Sequence, residues 1–450
     1  MRLRTLAVVT MTTAIMVPAL ATAQVQAPPP RENRGTLGGG RPVDSTRQTL
    51  VLDGNLTSGY DDSLTPPGGA SGLSALTPYP SSYTIFGAAN LRYRIGGEAR
   101  ALEVTGGGHT QRYANVPVPS SYGGDLNARG HLSIARRARL NLGQDIRWVP
   151  NFNPGLFVRP QGTAGGSNPN TNPANGVGAQ RSMNWASSAT LTYDWTRRTR
   201  TDAGYSFDQH RVANTTGFNS ETHVARIGFD RSVGRFSGIT ARASRSASRL
   251  TRVDRSVRPL EILTANIGWR LQRNVSRSRS ISLAAGGGTS IIDTFDYFTG
   301  EPLEYRSPSI YGNAAIDVGR SWNVSADYLR SVQTLQGLNP EAFVTHSTSV
   351  SAGGFSGRRV EVVLSAGYAT GHLGGATTGA GHLGRYEAYT GTGQLRFRVS
   401  RQLSAVAVFN HYRYLLDQAA QQTIGTSPNV QRNSVRAGLS WTLPIIDTRR

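Results

Sequence analysis

The chain has 450 residues, of which 38% are hydrophobic, and a formal net charge of +21. It contains no cysteine, which excludes disulfide bonds and thiolate chemistry, and all 48 of its lysine-or-arginine positions are arginine. A soluble chain of this length would divide into two or three domains, whereas a closed β-barrel uses it as a single unit. The arginines are spread along the chain and form no recognised binding module, so we expect no nucleic acid partner.

The arginine excess has two explanations that the sequence leaves open. A codon bias of the source genome would enrich arginine throughout the chain without any functional reason. Alternatively, guanidinium groups pair well with carboxylate and phosphate, so the arginines would make a lumen or a surface attractive to anions.

The N-terminus has the pattern of a cleavable secretory signal. Arg2 and Arg4 precede an apolar run that ends at Ala21 and Ala23, small residues typical of a cleavage site. We therefore expect a signal peptide over residues 1–23. Residues 24–48 follow and are rich in proline, glycine and arginine, which predicts a disordered periplasmic lead-in that is available to a periplasmic partner.

From residue 49 onward the side chains alternate between apolar and polar, the pattern of a strand with one lipid-facing and one wet face. The second predicted strand shows it clearly, because Leu91 and Ile95 alternate with Arg92 and Arg94. The two arginines are therefore predicted to point to the same wet interior. A mean hydropathy of -0.34 is compatible with full membrane insertion, since a barrel needs apolar residues on only one face.

Residues 184–207 form the clearest predicted hairpin. Trp185, Leu191 and Trp195 lie on one face with polar residues between them, and the pattern returns after a tight polar turn with Tyr205. The large aromatic residues gather near the strand ends and the small residues lie between them. This arrangement is typical of an outward face that crosses lipid, with aromatic residues at the two interfaces.

Short and long connections alternate along the whole chain. Short turns are predicted near Gly96, Arg136 and Gly357, and a much longer insertion runs from about 150 to 182. This alternation is typical of short periplasmic turns and long extracellular loops. The predicted fold is all-β, a single closed antiparallel transmembrane β-barrel of about eighteen strands in the outer membrane, with sixteen as the alternative.

The last predicted strand ends at residue 443, so that the barrel spans residues 49–443 and residues 444–450 form a short C-terminal tail. Val435, Leu439 and Trp441 give it an apolar, aromatic-containing face. Here the chain resembles the porin-like outer-membrane barrels of Gram-negative bacteria, some of which are similar to barrels associated with exopolysaccharide export. The resemblance implies recognition by the barrel assembly machinery, although most such proteins end on an aromatic residue and this one continues.

The sequence gives only weak signals for a metal site or a catalytic site. His372 and His382 lie in two Gly-His-Leu-Gly copies, but no acidic residue lies between them to complete a metal site. Asp293 and Glu304 belong to an acidic segment whose spacing matches no EF-hand. No serine, histidine and carboxylate trio stands out. We therefore expect no catalytic residue, no metal and no cofactor.

The charged residues of the predicted wet face are the candidate functional residues. Opposed charges across a lumen orient polar solutes, and the same charges can also pair with one another and stiffen the wall. The candidates for lining a pore are Arg92, Arg94, Arg129, Arg147, Asp194, Asp202, Asp208, Arg396, Arg398 and Arg436.

Three functions follow from this organisation. The first is a passive channel for small hydrophilic solutes with a mild preference for anions, because side chains do not fill a barrel of this size. The second is an outer-membrane component of a polysaccharide export or envelope assembly system, and the third is a barrel-embedded hydrolase. The expected partners are outer-membrane lipid and lipopolysaccharide, the assembly machinery and the solutes themselves.

Overall fold

The computed structural model describes most of the predicted barrel and leaves out the N-terminal segment and the centres of the long loops. The described residues are 46–62, 81–97, 99–114, 120–149, 182–212, 219–251, 257–276, 278–295, 302–319, 321–334, 342–373, 385–416 and 429–449. The predicted signal peptide, most of the lead-in and the insertion at 150–182 fall outside them. Within these residues, no helix has the length and apolar character needed to cross a membrane.

Eighteen antiparallel strands form one sheet, in which each strand pairs with its sequence neighbours and β1 pairs with β18 to close the ring. This confirms the predicted closed barrel of eighteen strands. The strands are β1 (Thr46–Asp61), β2 (Ser82–Gly96), β3 (Arg100–Tyr113), β4 (Ser121–Ala135), β5 (Ala138–Val149), β6 (Ser182–Asp194), β7 (Thr199–Val212), β8 (Asn219–Ser232), β9 (Ser237–Thr251), β10 (Val257–Ser276), β11 (Arg279–Phe295), β12 (Pro302–Val318), β13 (Trp322–Thr334), β14 (Ala342–Ser356), β15 (Val360–Leu373), β16 (Arg385–Arg398), β17 (Leu403–Leu416) and β18 (Asn429–Arg449).

The connections at the two ends of the barrel differ in length. Those after the even-numbered strands have two to four residues, and those after the odd-numbered strands have five to thirty-two. Both described chain ends, Thr46 and Arg449, lie at the end with the short turns, where they pair with each other. By the rule for such barrels, the short-turn end is periplasmic and the other end is extracellular.

The outward face of the barrel is apolar over most of its circumference. Leu56 lies opposite Leu439 on β18 and Gly87 on β2, and is 54% exposed because it faces away from the lumen. Ile267 on β10 is 65% exposed in the same way. A belt of exposed aliphatic and aromatic side chains is stable only against hydrocarbon, so the molecule is an integral outer-membrane barrel.

Glycines on the lumen-facing side make room for large neighbours. The ring of Tyr311 on β12 lies across Gly286 and Gly268, and its hydroxyl is 3.3 Å from Oγ1 of Thr240, three strands away. A Cβ atom on Gly286 would stand 2.5 Å from the tyrosine ring. The missing side chains therefore allow one tyrosine to cover the wall across three strands.

The first and last strands meet at the barrel seam, where β1 pairs with β18, and both are longer than the sequence predicted. β1 begins at Thr46, and β18 continues to Arg449 instead of ending at residue 443. Residues predicted as a C-terminal tail therefore pair with the start of β1, with an irregularity between Leu50 and Val51 that accommodates one extra residue next to Pro444. Proline lacks an N–H group and is tolerated at such bulges, so it does not end this strand.

The extracellular ends of β13 and β14 leave the regular wall. β12 pairs with β13 only up to Ile310 and Arg330, although both strands extend further. Alternation puts Val332 on the lipid-facing side, yet it is 3% exposed and packs in one cluster with Ile292, which faces the lumen from β11. Leu260, Ile262 and Val344 complete this cluster. The outer face of the β13–β14 end therefore packs against the inner face of β10 and β11, which narrows the lumen there.

Candidate functional site: the lumen wall

All ten charged residues singled out in the sequence occupy inward-facing positions of the strands. Arg92, for example, follows the exposed Leu91 on β2, and its guanidinium lies 3.4 Å from the carboxylate of Asp53 on β1. Arg129 lies opposite Glu103 on the neighbouring strand. The candidate residues are therefore distributed around the lumen and do not converge on a single point.

Ion pairs join many of these charges across or along the strands. Among the described residues, five such pairs besides those of Asp61 lie on the inward face: Arg92–Asp53 at 3.4 Å, Arg147–Asp145 at 2.7 Å, Arg200–Asp194 at 2.7 Å, Arg270–Asp230 at 3.8 Å and Arg396–Glu361 at 3.1 Å. Both predicted roles of the charges, a polar lining and a stiffened wall, are compatible with this pairing.

A buried charge cluster lies at the extracellular end of the barrel seam. Asp61, at the end of β1, is fully buried, and its carboxylate accepts two hydrogen bonds from the guanidinium of Arg432, at 3.3 and 3.0 Å. Arg436 approaches the same carboxylate at 3.6 Å. Two buried guanidinium groups thus share one buried carboxylate, while the carboxylate of the next residue, Asp62, accepts hydrogen bonds from the backbone N–H and the side-chain amide of Asn433.

Polar and aromatic neighbours hold the two arginines in place. Arg432 also donates a hydrogen bond to the hydroxyl of Tyr113, 2.9 Å away, and Gln111 donates to the same hydroxyl at 2.8 Å. The guanidinium of Arg436 lies 5.6 Å from the centre of the Phe86 ring. A cation over an aromatic face is stabilised by the ring quadrupole, so Phe86 partly compensates for the burial of Arg436.

Hydroxyl groups cover much of the remaining wall. Pairs of serine and threonine side chains face each other across neighbouring strands at 2.7–2.9 Å, as in Ser325–Ser351 and Thr264–Ser290. Ser365 and Thr392 form another such pair. Hydroxyls exchange donor and acceptor roles freely, so this lining suits water and small hydrophilic solutes rather than apolar ones.

The lumen differs between its two ends. Near the short turns, inward side chains such as Arg92 remain half exposed. Near the extracellular end, inward side chains are almost completely covered, including Tyr412 and Tyr414 on β17 and Phe343 on β14. The narrowest part of the lumen therefore lies at the extracellular end, where the charge cluster on β18 and β1 and the apolar cluster on β10, β11, β13 and β14 lie on opposite sides of the ring.

The described residues contain no group of three or more metal-ligating side chains. His372 lies on the lipid-facing side of β15, opposite Arg385, while His382 falls outside the described residues. Asp293 and Glu304 lie opposite each other on β11 and β12. Asp296 and Glu301, which lie between these two residues in the sequence, are outside the described part of the chain.

Sequence reasoning missed the central residues of the buried charge cluster. Asp61 and Arg432 lie at strand ends beside long loops, where alternation gives no information on burial or on partners. Tyr113 lies on β3, two strands away from Asp61. Only closure of the barrel brings β18 next to β1, so the pattern of single strands carried no signal for this cluster.

Several solved structures of bacterial proteins match this chain over most of its length. OccK11 (OpdR) of Pseudomonas aeruginosa is 13% identical, with 89% of this chain and 96% of that chain covered and a TM-score of 0.41. OccK5 (OpdH) of the same organism is 12% identical over 89% and 98%, with a TM-score of 0.45. OccAB2 of Acinetobacter baumannii is 11% identical over 89% and 98%, with a TM-score of 0.43. No protein-family model and no curated protein sequence matches the chain.

Proposed function

We propose that this barrel is a channel through which small hydrophilic solutes cross the outer membrane passively, with a mild preference for anions. The observation that carries the proposal is the lumen wall itself, which consists of paired charges and facing hydroxyl groups over most of its height. A barrel of eighteen strands is too wide for its own side chains to fill along its whole length. A hydrated passage is the function that this geometry supports best.

The proposed preference for anions rests on the buried charge cluster. The five other inward ion pairs given above each join one arginine to one carboxylate, but Asp61 is shared by Arg432 and Arg436. These two buried guanidinium groups lie on the narrowed extracellular side of the lumen, where the surrounding dielectric constant is low and the field of one charge extends further. A negatively charged solute is stabilised at that point, and a cation is repelled.

Planar-bilayer recordings of the purified protein test both parts of the proposal. We expect stepwise ion conductance, and a reversal potential in a salt gradient that reports anion selectivity. Replacing Arg436→Gln is expected to reduce that selectivity, whereas the matched change Arg200→Gln, at an exposed pair near the periplasmic turns, leaves it almost unchanged. A protein that inserts and never conducts would refute the channel, and unchanged selectivity in Arg436→Gln would refute the anion site alone.

We also propose contacts outside the lumen. The assembly machinery would recognise the apolar face of β18, and a periplasmic partner would bind residues 24–48, the last three of which already belong to β1. Deleting residues 24–45, which precede β1, from the full chain, followed by co-purification from the envelope, tests the second contact. Loss of a co-purified protein with normal conductance would support it, while an unchanged set of co-purified proteins would contradict it.

A further inference from the structure

Charge is distributed unevenly over the outer side of the barrel. Lipid-facing carboxylates of the described residues all lie in the extracellular half, at Glu221, Glu261, Asp293, Glu304 and Glu387. In the periplasmic half, every described carboxylate occupies an inward-facing position, as Asp194 and Asp317 do. Among the described residues, the outer surface near the periplasm therefore carries positive charge only, and Glu98, in the short turn after β2, lies outside them.

That charge is supplied by arginine at two sets of positions. One set lies in the short turns, whose described residues include no aspartate or glutamate. These exposed turn arginines are Arg136, Arg137, Arg197, Arg198, Arg235, Arg358, Arg359 and Arg401. The second set faces lipid at the periplasmic ends of the strands, and consists of Arg100, Arg231, Arg273 and Arg279.

The cross-strand register shows that the second set faces lipid. Arg231 on β8 lies opposite Ile239, and Arg279 on β11 lies opposite Val318, two residues that are exposed on the outer side. Their guanidinium groups therefore border the apolar belt and do not line the lumen. A long side chain at this level keeps its stem against apolar surface and extends its charged end to the headgroup region.

The turn arginines and the lipid-facing arginines together form what we call the arginine rim. Aromatic contacts hold part of it in place. The guanidinium groups of Arg235 and Arg273 lie 5.2 and 5.8 Å from the ring centre of Phe236, which is exposed. Close by in the turn between β6 and β7, the backbone carbonyl of Trp195 accepts a hydrogen bond from Arg137. Because the turns have only two to four residues, these guanidinium groups remain at the height of the aromatic interface.

We propose that the arginine rim is a binding surface for the phosphate headgroups of anionic phospholipids in the periplasmic leaflet of the outer membrane. Guanidinium and phosphate form charge-assisted, bidentate hydrogen bonds, and within the described part of the rim no outward carboxylate competes for the guanidinium groups. Lipid is favoured over a soluble acidic partner because four of the arginines face the hydrocarbon side. The rim holds a shell of anionic lipid around the barrel and is independent of what passes through the lumen.

The test uses the full-length purified protein in detergent, titrated with phosphatidylglycerol and, separately, with zwitterionic phosphatidylethanolamine. The rim variant combines Arg231→Gln, Arg235→Gln, Arg273→Gln and Arg279→Gln. The matched control removes four outward arginines of the extracellular half: Arg112→Gln, Arg211→Gln, Arg330→Gln and Arg413→Gln. We expect phosphatidylglycerol to bind the unchanged protein more tightly, and the rim variant to lose about fivefold in affinity for each arginine removed.

The control should bind phosphatidylglycerol as the unchanged protein does, and a variant with lysine at the four rim positions should retain most of the affinity because it keeps the charge. Equal affinity for the two lipids, an unaffected rim variant or an equally weakened control would each overturn the proposal. Tighter binding of polyglutamate than of phosphatidylglycerol would overturn it in favour of a soluble acidic partner. Heat-modifiable electrophoretic mobility verifies that each variant is folded, and unchanged conductance separates this result from the channel.

Discussion

Arg432 and Asp61 lie 371 residues apart in the chain, yet the guanidinium of one donates two hydrogen bonds to the carboxylate of the other. Both side chains are almost completely buried, at 4% and 0% exposure. Because β18 and β1 meet only when the ring closes, this pair exists only in the closed barrel. The pair therefore links a local charge contact to the integrity of the whole barrel.

Replacing Asp61→Asn should destabilise the barrel by about 3–5 kcal/mol, because it leaves two buried guanidinium groups without a counter-charge. Urea-induced unfolding of the protein in lipid vesicles measures the change. The control is Asp194→Asn, whose pair with Arg200 is about half exposed. That change is expected to cost less than about 1 kcal/mol. Equal effects of the two substitutions would contradict the importance of burial.

The packing of Tyr311 over Gly286 predicts a second outcome. In Gly286→Ala the new methyl group would meet the tyrosine ring at 2.5 Å, and displacing the ring should cost about 1–3 kcal/mol. Unfolding in vesicles measures the change, and Gly312→Ala is the control because no atom lies within 4 Å of its Cβ position. Adding Tyr311→Ala should remove most of the penalty of Gly286→Ala. Strict additivity of the two substitutions would refute the contact.

The inward packing of the β13–β14 end predicts a link between apolar contacts and conductance. Ile292→Ala should destabilise the barrel by about 2–5 kcal/mol and enlarge the single-channel conductance, because it loosens the cluster that holds Val332. Bilayer recordings measure the second effect. Ile267→Ala, on the lipid-facing side of β10, should leave conductance unchanged. A conductance that is the same in both variants would show that this packing does not narrow the passage.

The extended last strand predicts the result of a truncation. A chain that ends at Leu443 keeps the register between Leu52 and Asp61 on β1, so it should still close and insert. It loses the pairs that residues 444–449 make with the start of β1, so its unfolding in urea should begin at a lower concentration. Heat-modifiable mobility measures assembly. Failure of the truncated chain to assemble would show that the extension is needed for closure itself.

Much of the architecture could be predicted from single strands, because alternation has a period of two and each strand contributes one face to lipid and one to water. Alternation alone therefore places Leu91 on the lipid-facing side and Arg92 on the lumen side, without information about the neighbouring strands. The number of strands and the end of the barrel at which the termini lie followed from the alternating connection lengths. These properties are local, so a linear pattern is sufficient to encode them.

Only the tertiary structure decided which charges are buried and where the lumen narrows. Alternation places Val332 toward lipid, but separation of β12 from β13 lets it pack against Ile292 instead. Asp61 looks like any polar residue before a loop, and its burial depends on β18 lying beside it. The sequence by itself determined the faces of the strands, while ring closure and the departure of one strand pair from the wall determined the contacts, because both join residues that are far apart in the chain.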